Sequence, residues 1–510
     1  MAHNPFSLLA QEIIDLIVDE VARGTPSTYH DQSEKDILAC ALVDKAFYSR
    51  AQTCLVSNIH IRAGEGFEAY ATPLLERIKN GPTDLSAPIL RSLCCAIVAD
   101  ADADRTLNPR SPSRHPPHPT ALDRVYAHLG DPFLEILRTI SSPESKTQHF
   151  SLVAMSELSR IRPLPGDQGT SPFQKALSEA CTAVNLKTLH LANLGNIPGS
   201  KIVDAFFLPC LEELTLNNLS LEETEVGEMT TGMLTHSGNS SLRTLAPELK
   251  RLEIRNISYL SLFRFLNLLS PPGPSSNSSF AFPRLNSLII SLLFDEQRFP
   301  IFGALSTIWS FMVTVSSTLT SLEIESYAYP IGPHVHRHFN SHSTRICLGR
   351  LPALRTFRLT ICHDTCLDFL RKLLMDSVRN PTTIESFEIK LTLSAHDRQP
   401  IHSFTEHKYW THLDTRLTEP MFEKLRRVRI IVVLFHSRAK STSLQLSRGL
   451  APGDWSEHSK IEEHWKSIFP KVAASLSLVV DVQDVYSQNT LEAYLYASRT
   501  DDGIVDCYGG

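Results

Sequence analysis

The sequence has little that would carry it into a membrane or across one. Its 510 residues contain no run of about 18 apolar side chains, which excludes an ordinary transmembrane helix. Four acidic residues precede the first basic one, Arg23, whereas a secretory signal needs a basic start and an uncharged apolar core. We therefore expect an intracellular protein of the cytoplasm, the nucleus or both, with no membrane partner.

Patterns that announce catalysis are also missing. The chain has no phosphate-binding or dinucleotide-binding glycine motif, no nucleophile elbow and no zinc-protease pair. A Ser/His/Asp set assembled from distant positions stays open, because such a triad is defined by geometry. Ten cysteines lie scattered without framework spacing, which is typical of reduced thiols. We expect no enzyme activity and no cofactor.

The net charge of −6 gives no global attraction to nucleic acid. One local basic group, Arg426, Arg427 and Arg429, falls on a strand-like run. We interpret these arginines as one solvated face of a strand. The sequence therefore predicts no nucleic-acid partner.

Three stretches contain residue types that bind metals. The segment 334–342 contains no cysteine or carboxylate but four histidines, His334, His336, His338 and His342. We interpret it as a solvated loop. Cys362-His363-Asp364-Thr365-Cys366 lacks a second ligand pair, so its thiols, like Cys94, Cys95 and Cys181, are expected to be buried and structural. Residues 100–104 lack the glycine and terminal glutamate of a calcium loop. We expect no metal site.

The N-terminal block contains three helical patterns within about 55 residues. Ile13, Leu16, Ile17 and Val21 recur at helical spacing. A helix-start pattern begins at Ser33, and a third short helix is expected over 46–54. The block predicts a small helical bundle.

A pattern that is apolar at positions 1, 4 and 6 repeats eight times along the rest of the chain. The copies start at Leu186, Leu211, Leu249, Leu285, Leu319, Leu354, Ile384 and Leu425, between 25 and 41 residues apart. Leu90 starts a possible ninth copy. The pattern L-x-x-L-x-L is that of leucine-rich repeats, in which each repeat contributes one strand.

Repeats of this kind must stack, because one strand cannot bury its apolar side alone. Position 5 points to the opposite side and is mostly polar, with Ile289 the exception. Helical patterns lie between the strands, at 202–208, 261–269, 302–317 and 366–378. We therefore predict an α/β fold, with an N-terminal three-helix bundle followed by an irregular solenoid of parallel strands with helices on its convex side.

The predicted organisation has five parts. Residues 108–120 contain five prolines and form a loop or disordered insert, and 122–140 is a helix with a break near Gly130-Asp131-Pro132. The parts are a helical domain at 5–61, divergent early repeats at 62–180, the solenoid at 181–435, a capping region at 436–500 and a frayed tail at 501–510.

The first block resembles an F-box, in the divergent F-box-like version common in large fungal (basidiomycete-type) families. Those domains begin with L-P-x-E-[IL]-[IL]-x-x-I, and this chain has LAQEIIDLI at 9–17. A second element matches CALVDKAF at 40–47, and a third matches LVSNI at 55–59. The repeat region looks like the irregular leucine-rich repeats that commonly follow in these families.

The resemblance implies a substrate-recognition subunit of a cullin-type (SCF-like) ubiquitin ligase. Its helices would bind a Skp-type adaptor and, through it, a cullin scaffold, while the repeats would bind an unknown protein substrate. The implied adaptor-binding side chains are Leu8, Leu9, Ile13, Ile17, Leu42, Val43 and Phe47.

Two alternatives remain. The first is a repeat scaffold that binds partners but not the adaptor, which Ala10 in place of the usual proline and the degenerate repeats favour. The second is an enzyme with an unrecognised site.

Overall fold

The computed structural model describes many segments of the chain. They are residues 10–23, 58–63, 71–76, 92–97, 121–154, 172–192, 194, 197, 199–217, 219, 248–255, 282–294, 302–328, 348–361, 381–394, 409–437 and 455–487, together with helical residues 39, 40, 42, 43, 47, 48, 50, 51 and 54. The chain divides into two compact units between Leu249 and Lys250. Within these ranges, no helix is long and apolar enough to cross a membrane.

The described residues of the first unit form five strands, each paired in parallel with the next of them along the chain. They are β1 (Asn58–Ala63), β2 (Ser92–Ile97), β3 (His149–Ala154), β4 (Thr188–Ala192) and β5 (Glu213–Asn217). Its helices are α1 (Gln11–Arg23), a helical segment at 71–76, α2 (Ala121–Ser141), α3 (Pro172–Cys181) and α4 (Gly199–Phe206). The helices α2 and α3 pack through Phe133 and Phe173, whose rings stack with their centroids 6.1 Å apart.

In the part of the second unit that the structure describes, seven strands pair in the same sequential, parallel way. They are β6 (Arg251–Arg255), β7 (Ser287–Phe294), β8 (Ser321–Ala328), β9 (Thr356–Ile361), β10 (Ser386–Ser394), β11 (Arg427–Ser437) and β12 (Ser477–Ser487). The helices are α5 (Phe302–Thr314), α6 (Tyr409–Leu417), α7 (Trp455–Ile468) and α8 (Pro470–Ser475), with short 3₁₀ turns at Leu348–Arg350 and Pro420–Phe422.

The repeat pattern accounts for the cores of both units. Positions 1, 4 and 6 of all eight predicted copies are buried. Neighbouring copies align without offset, as where Phe387 of β10 lies beside Phe357 of β9, with their ring centroids 5.6 Å apart. Because the side-chain period of a strand is two, positions 4 and 6 share one side and form a continuous apolar layer across neighbours. The predicted α/β, parallel, repeat-like fold is confirmed in this form.

The strand β2 carries the ninth copy, with Leu93 and Cys95 buried at positions 4 and 6. The strand β3 was not predicted, because Thr147 occupies its position 1, where the other copies have leucine or isoleucine. Phe150 and Leu152 nevertheless align with Leu189 and Leu191 of β4 and are buried. The structure therefore contains a further copy between the ninth and the first of the eight.

The predicted break near Gly130-Asp131-Pro132 is wrong, because α2 continues from Ala121 to Ser141 with Pro132 inside it. A proline inside a helix costs about 3 kcal/mol. The turns after it bury an apolar face that offsets this cost, namely Phe133, Leu134, Ile136, Leu137 and Ile140.

Two predicted helices are confirmed, one as α4 and one as α5. The other two, at 261–269 and 366–378, lie outside the described residues, as does the proline-rich segment 108–120. The predicted domain boundaries, including the tail at 501–510, stay predictions.

The C-terminal part of the second unit is held together by an aromatic cluster and a buried carboxylate. Trp410 meets Trp465 edge to face with centroids 5.0 Å apart, and Phe469 stacks on Trp465. Asp414 of α6 is buried and accepts hydrogen bonds from the backbone N–H groups of Lys471 (3.2 Å) and Val472 (2.8 Å). A side chain distant in sequence thus caps the first turn of α8.

We expect Asp414→Ala to lower the free energy of unfolding by about 1–3 kcal/mol, because it leaves the buried N–H of Val472 and the partly buried N–H of Lys471 without their acceptor. Urea denaturation followed by tryptophan fluorescence measures this change. Asp414→Asn is the matched control, since its amide retains one acceptor oxygen, and it should lose less. Equal stability of the alanine variant and the wild type would contradict the capping role.

Candidate functional site

The N-terminal helical residues contain a small apolar core. Ile14 and Val18 of α1 are buried against Phe47, Ala51 and Cys54, with Val21 and Cys40 partly buried beside them. These spacings place the inward side chains on one face of each helical stretch. The face of α1 that packs inward is therefore the one through Ile14 and Val18, rather than the one through Ile13 and Ile17.

A second apolar face on the same helices is exposed. We call it the apolar N-terminal surface, and it consists of Ile13 (45% exposed), Leu16 (59%), Ile17 (41%), Leu42 (87%), Val43 (52%) and Tyr48 (50%). Among the described residues, only two other large apolar side chains are exposed, Val184 and Val313. Apolar side chains of this size are normally buried, so their concentration on these helices makes them a candidate interaction surface.

The structure separates the side chains predicted to contact the adaptor. Ile13, Ile17, Leu42 and Val43 lie on the apolar N-terminal surface. Phe47 lies in the core and is 4% exposed, so in this conformation it supports the helices from inside. Leu8 and Leu9 lie outside the described residues. Leu16 and Tyr48 are exposed additions, and helical spacing alone could have suggested Leu16, which lies three residues after Ile13.

The second candidate site is the side of the β6–β12 sheet opposite the apolar layer, formed by positions 3, 5 and 7 of each copy. We call it the charged strand face. Five charged side chains link β8 to β12 across it. Arg358 contacts Glu323 (3.2 Å) and Glu388 (2.6 Å) on the strands to either side. Arg429 contacts Glu388 (3.5 Å) and Asp481 (2.7 Å) in the same way.

A second charged group lies on β6 and β8. Glu253 contacts both Arg251 (3.2 Å) and Arg255 (2.7 Å), and Arg255 also contacts Glu325 (3.0 Å). The strand between them, β7, places Ile289 at position 5 and Ser291 at position 7. The apolar Ile289 therefore interrupts the charges at position 5, and the connection runs through position 7 instead.

From β6 to β10, position 7 is as deeply buried as the apolar core. Arg255, Ser291, Glu325, Thr360 and Lys390 are each at most 2% exposed. Burial raises the pKa of the Glu325 carboxyl to about 8, with Glu323 and Glu253 acting in the same direction and Arg255 and Lys390 opposing it. At neutral pH this carboxyl is mostly protonated.

Sequence reasoning reached position 5 of this face but not position 7. Side chains alternate along a strand, so positions 5 and 7 lie on the same side. The charged residues Arg255, Glu325 and Lys390 could therefore have been assigned to this face from the sequence. The burial of these charges could not be predicted from the alternation, because burial depends on packing above the strands. Of the basic group, Arg427 is exposed, whereas Arg429 is part of the ion-pair network.

The stretches that contain metal-binding residue types, 334–342, 362–366 and 100–104, lie outside the described residues. Within the described residues, no three His, Cys, Asp or Glu side chains are grouped so that they could hold a metal ion. Cys95 and Cys181 are buried, and burial raises the pKa of the Cys181 thiol to about 12. Such a thiol is a poor nucleophile at neutral pH.

One serine–histidine contact bears on catalysis. Ser151 Oγ of β3 lies 3.1 Å from His190 Nδ1 of β4. One step earlier in the same register, His149 Nδ1 lies 2.8 Å from Thr188 Oγ1, and burial lowers the pKa of His149. The same two strands thus make the same kind of contact twice, which is the pattern of cross-strand pairing.

Comparisons with known families and curated proteins identify no relative, so a function for this chain has to be inferred from the two surfaces described above. No model of a known protein family matches the chain. No curated protein is significantly similar to it.

Proposed function

We propose that the protein is the substrate-recognition subunit of a cullin-type ubiquitin ligase. The N-terminal helices bind a Skp-type adaptor, and the repeats bind the protein to be modified. The protein catalyses no chemistry itself. It acts by holding the substrate at high effective concentration near the conjugating enzyme.

The apolar N-terminal surface is the observation that carries this proposal. Ile13 and Ile17 lie one helical turn apart on α1, with Leu16 between them, while Ile14 and Val18 fill the core behind. A helix with two apolar faces has one face for its own fold and one for a partner. Helix packing into an apolar groove uses anchors at this i, i+3 and i+4 spacing.

The repeats support the other half of the proposal. Each strand of the second unit adds side chains to the charged strand face. Stacked repeats offer extended surfaces of this kind for binding other proteins. A chain with one apolar surface for an adaptor and one charged face for a substrate is suited to linking the two.

We expect the wild-type chain to co-purify with a Skp-type adaptor, and we expect Ile13→Asp/Ile17→Asp to lose the adaptor. Charges in place of two anchors that the adaptor would bury cost several kcal/mol, which amounts to a loss of at least about 100-fold in affinity. Val184→Asp is the matched control, because it places the same charge on an exposed apolar side chain outside the surface. Circular dichroism checks that each variant folds.

Retention of the adaptor by the folded double variant would contradict the assignment of this surface. Failure of the folded wild type to bind any Skp-type adaptor would contradict the ligase role, and the scaffold alternative would then take its place. An equal loss in Val184→Asp would show a general effect of added charge.

A further inference from the structure

The accessible charge of the charged strand face is positive, although the face contains five acidic groups beside its six basic ones. The arginine side chains reach the surface, with Arg251 35%, Arg358 24% and Arg429 28% exposed. The glutamates lie beneath them, with Glu253 11%, Glu323 10% and Glu388 9% exposed. A partner that approaches this face therefore meets mainly guanidinium groups, with Asp481 of the last strand as the accessible carboxylate.

Position 3 adds a row of small hydroxyl groups between two arginines. From β6 to β11 the residues in register at this position are Arg251, Ser287, Ser321, Thr356, Ser386 and Arg427. The four hydroxyl side chains are half-buried and Arg427 is exposed. Such a row of small side chains offers hydrogen-bond donors, and each end carries a positive charge.

The ion pairs hold the arginines in place before any partner arrives. Arg358 is fixed between carboxylates of β8 and β10, and Arg429 between carboxylates of β10 and β12. An ordered guanidinium loses little conformational entropy on binding, which favours affinity. The nearly buried glutamates thus orient the arginines.

The dimensions suit an extended chain. Neighbouring strands lie about 4.8 Å apart, so the five steps from Arg251 to Arg427 span about 24 Å. An extended peptide advances about 3.3 Å per residue and crosses this distance with about seven residues. Positions 3, 5 and 7 of β6–β12 carry no aromatic side chain on which a nucleic-acid base would stack, which favours a peptide over a single-stranded nucleic acid.

We propose that the charged strand face binds an extended, acidic peptide segment that lies across β6–β11, its carboxylates contacting Arg251, Arg358, Arg427 and Arg429 and its backbone contacting the hydroxyl row. This inference rests on the proposed function in one respect: it assigns the class of segment by which the repeats select a substrate.

The test is fluorescence anisotropy of the full-length chain with a labelled peptide of alternating glutamate and serine, about eight residues long. We expect binding that weakens as salt is raised and is absent for the matching glutamine–serine peptide. Arg251→Ser/Arg427→Ser, which extends the hydroxyl row that the neighbouring strands already have, should weaken binding by about fivefold to tenfold.

Arg355→Ser/Arg426→Ser is the matched control, because it removes the same charge from position 2, which points away from this face. It should bind like the wild type. Equal binding of the two peptides, or an equal loss in both double variants, would overturn the proposal. Tighter binding of a labelled oligothymidylate to the wild type would overturn it in favour of nucleic acid. Loss of peptide binding with the adaptor still bound contradicts this inference alone, whereas the reverse result contradicts only the ligase role.

Discussion

Glu325→Gln should remove most of the decline in stability that the wild type shows between about pH 4.5 and pH 8. The Glu325 carboxyl has a pKa of about 8 in the folded chain and an ordinary value of 4.5 when exposed. Between these values the folded state binds the proton and the unfolded state does not, so folding is favoured at low pH and the advantage is lost as pH rises through 8. The difference corresponds to a few kcal/mol.

The geometry explains why proton loss is costly here. Glu325 is fully buried, with Ser291 of β7 and Thr360 of β9 beside it in register. Arg255 supplies one nearby positive charge but also contacts Glu253. A buried carboxylate gains too little from this shared partner to offset its lost hydration.

Urea denaturation at about pH 5, 7 and 9 measures the effect. Stability of the glutamine variant should exceed that of the wild type at the highest pH and approach it at the lowest. Glu385→Gln is the control, since that carboxyl is exposed and should leave the pH dependence unchanged. A wild type and Glu325→Gln variant with parallel stability profiles would show that Glu325 titrates normally in the folded chain.

At about pH 9, where the Glu325 carboxyl is ionised, Arg255→Met should destabilise the second unit by about 3–5 kcal/mol, because it removes the buried partner of two carboxylates and leaves their charge uncompensated. The side chain of Arg255 is 3% exposed, and it contacts Glu253 and Glu325. Arg251→Met on the same strand is the matched control. Its side chain is 35% exposed, so it should cost at most about 1 kcal/mol.

Denaturation at about pH 9, above the pKa of Glu325, compares the two variants, and the combination Arg255→Met/Glu325→Gln isolates the pair. Because the glutamine has no charge to strand, part of the lost stability should return in the combined variant. Equal effects of Arg255→Met and Arg251→Met would mean that burial of the guanidinium is not the source of its contribution.

The sequence predicted the repeat fold well because each copy contains the same physical requirement. Leucine or isoleucine at positions 1, 4 and 6 is needed wherever a strand must bury one side against its neighbours, and all eight copies meet it. The strand β3 was not predicted as a repeat copy because Thr147, buried at position 1, is polar. At that place the fold tolerates a hydroxyl, since Ser145 Oγ lies 3.0 Å from Thr147 Oγ1.

The candidate sites were predictable only in part. Helical spacing placed Ile13 and Ile17 together, but Ile14 and Val18 have the same spacing one residue later, and only packing decides which pair is buried. For the charged strand face, alternation placed Arg358 and Arg429 on the correct side. The arginines lie outermost and the glutamates beneath them because arginine is the longer side chain and each arginine is held by carboxylates on neighbouring strands. The sequence of a single repeat does not contain these cross-strand partners.

The sequential pairing of strands has a consequence for how the chain folds. Within each unit, described strands that follow one another along the chain are paired, and paired residues lie no more than 57 positions apart, as in Leu93 with Phe150. These loops are short for a chain of 510 residues, so closing each of them costs little entropy. Each repeat can therefore dock on the previous one as it leaves the ribosome. In this kind of folding, the last folded repeat is the surface on which the next one packs. Unfolding can proceed in steps in the opposite direction, with repeats detaching one after another from a terminus.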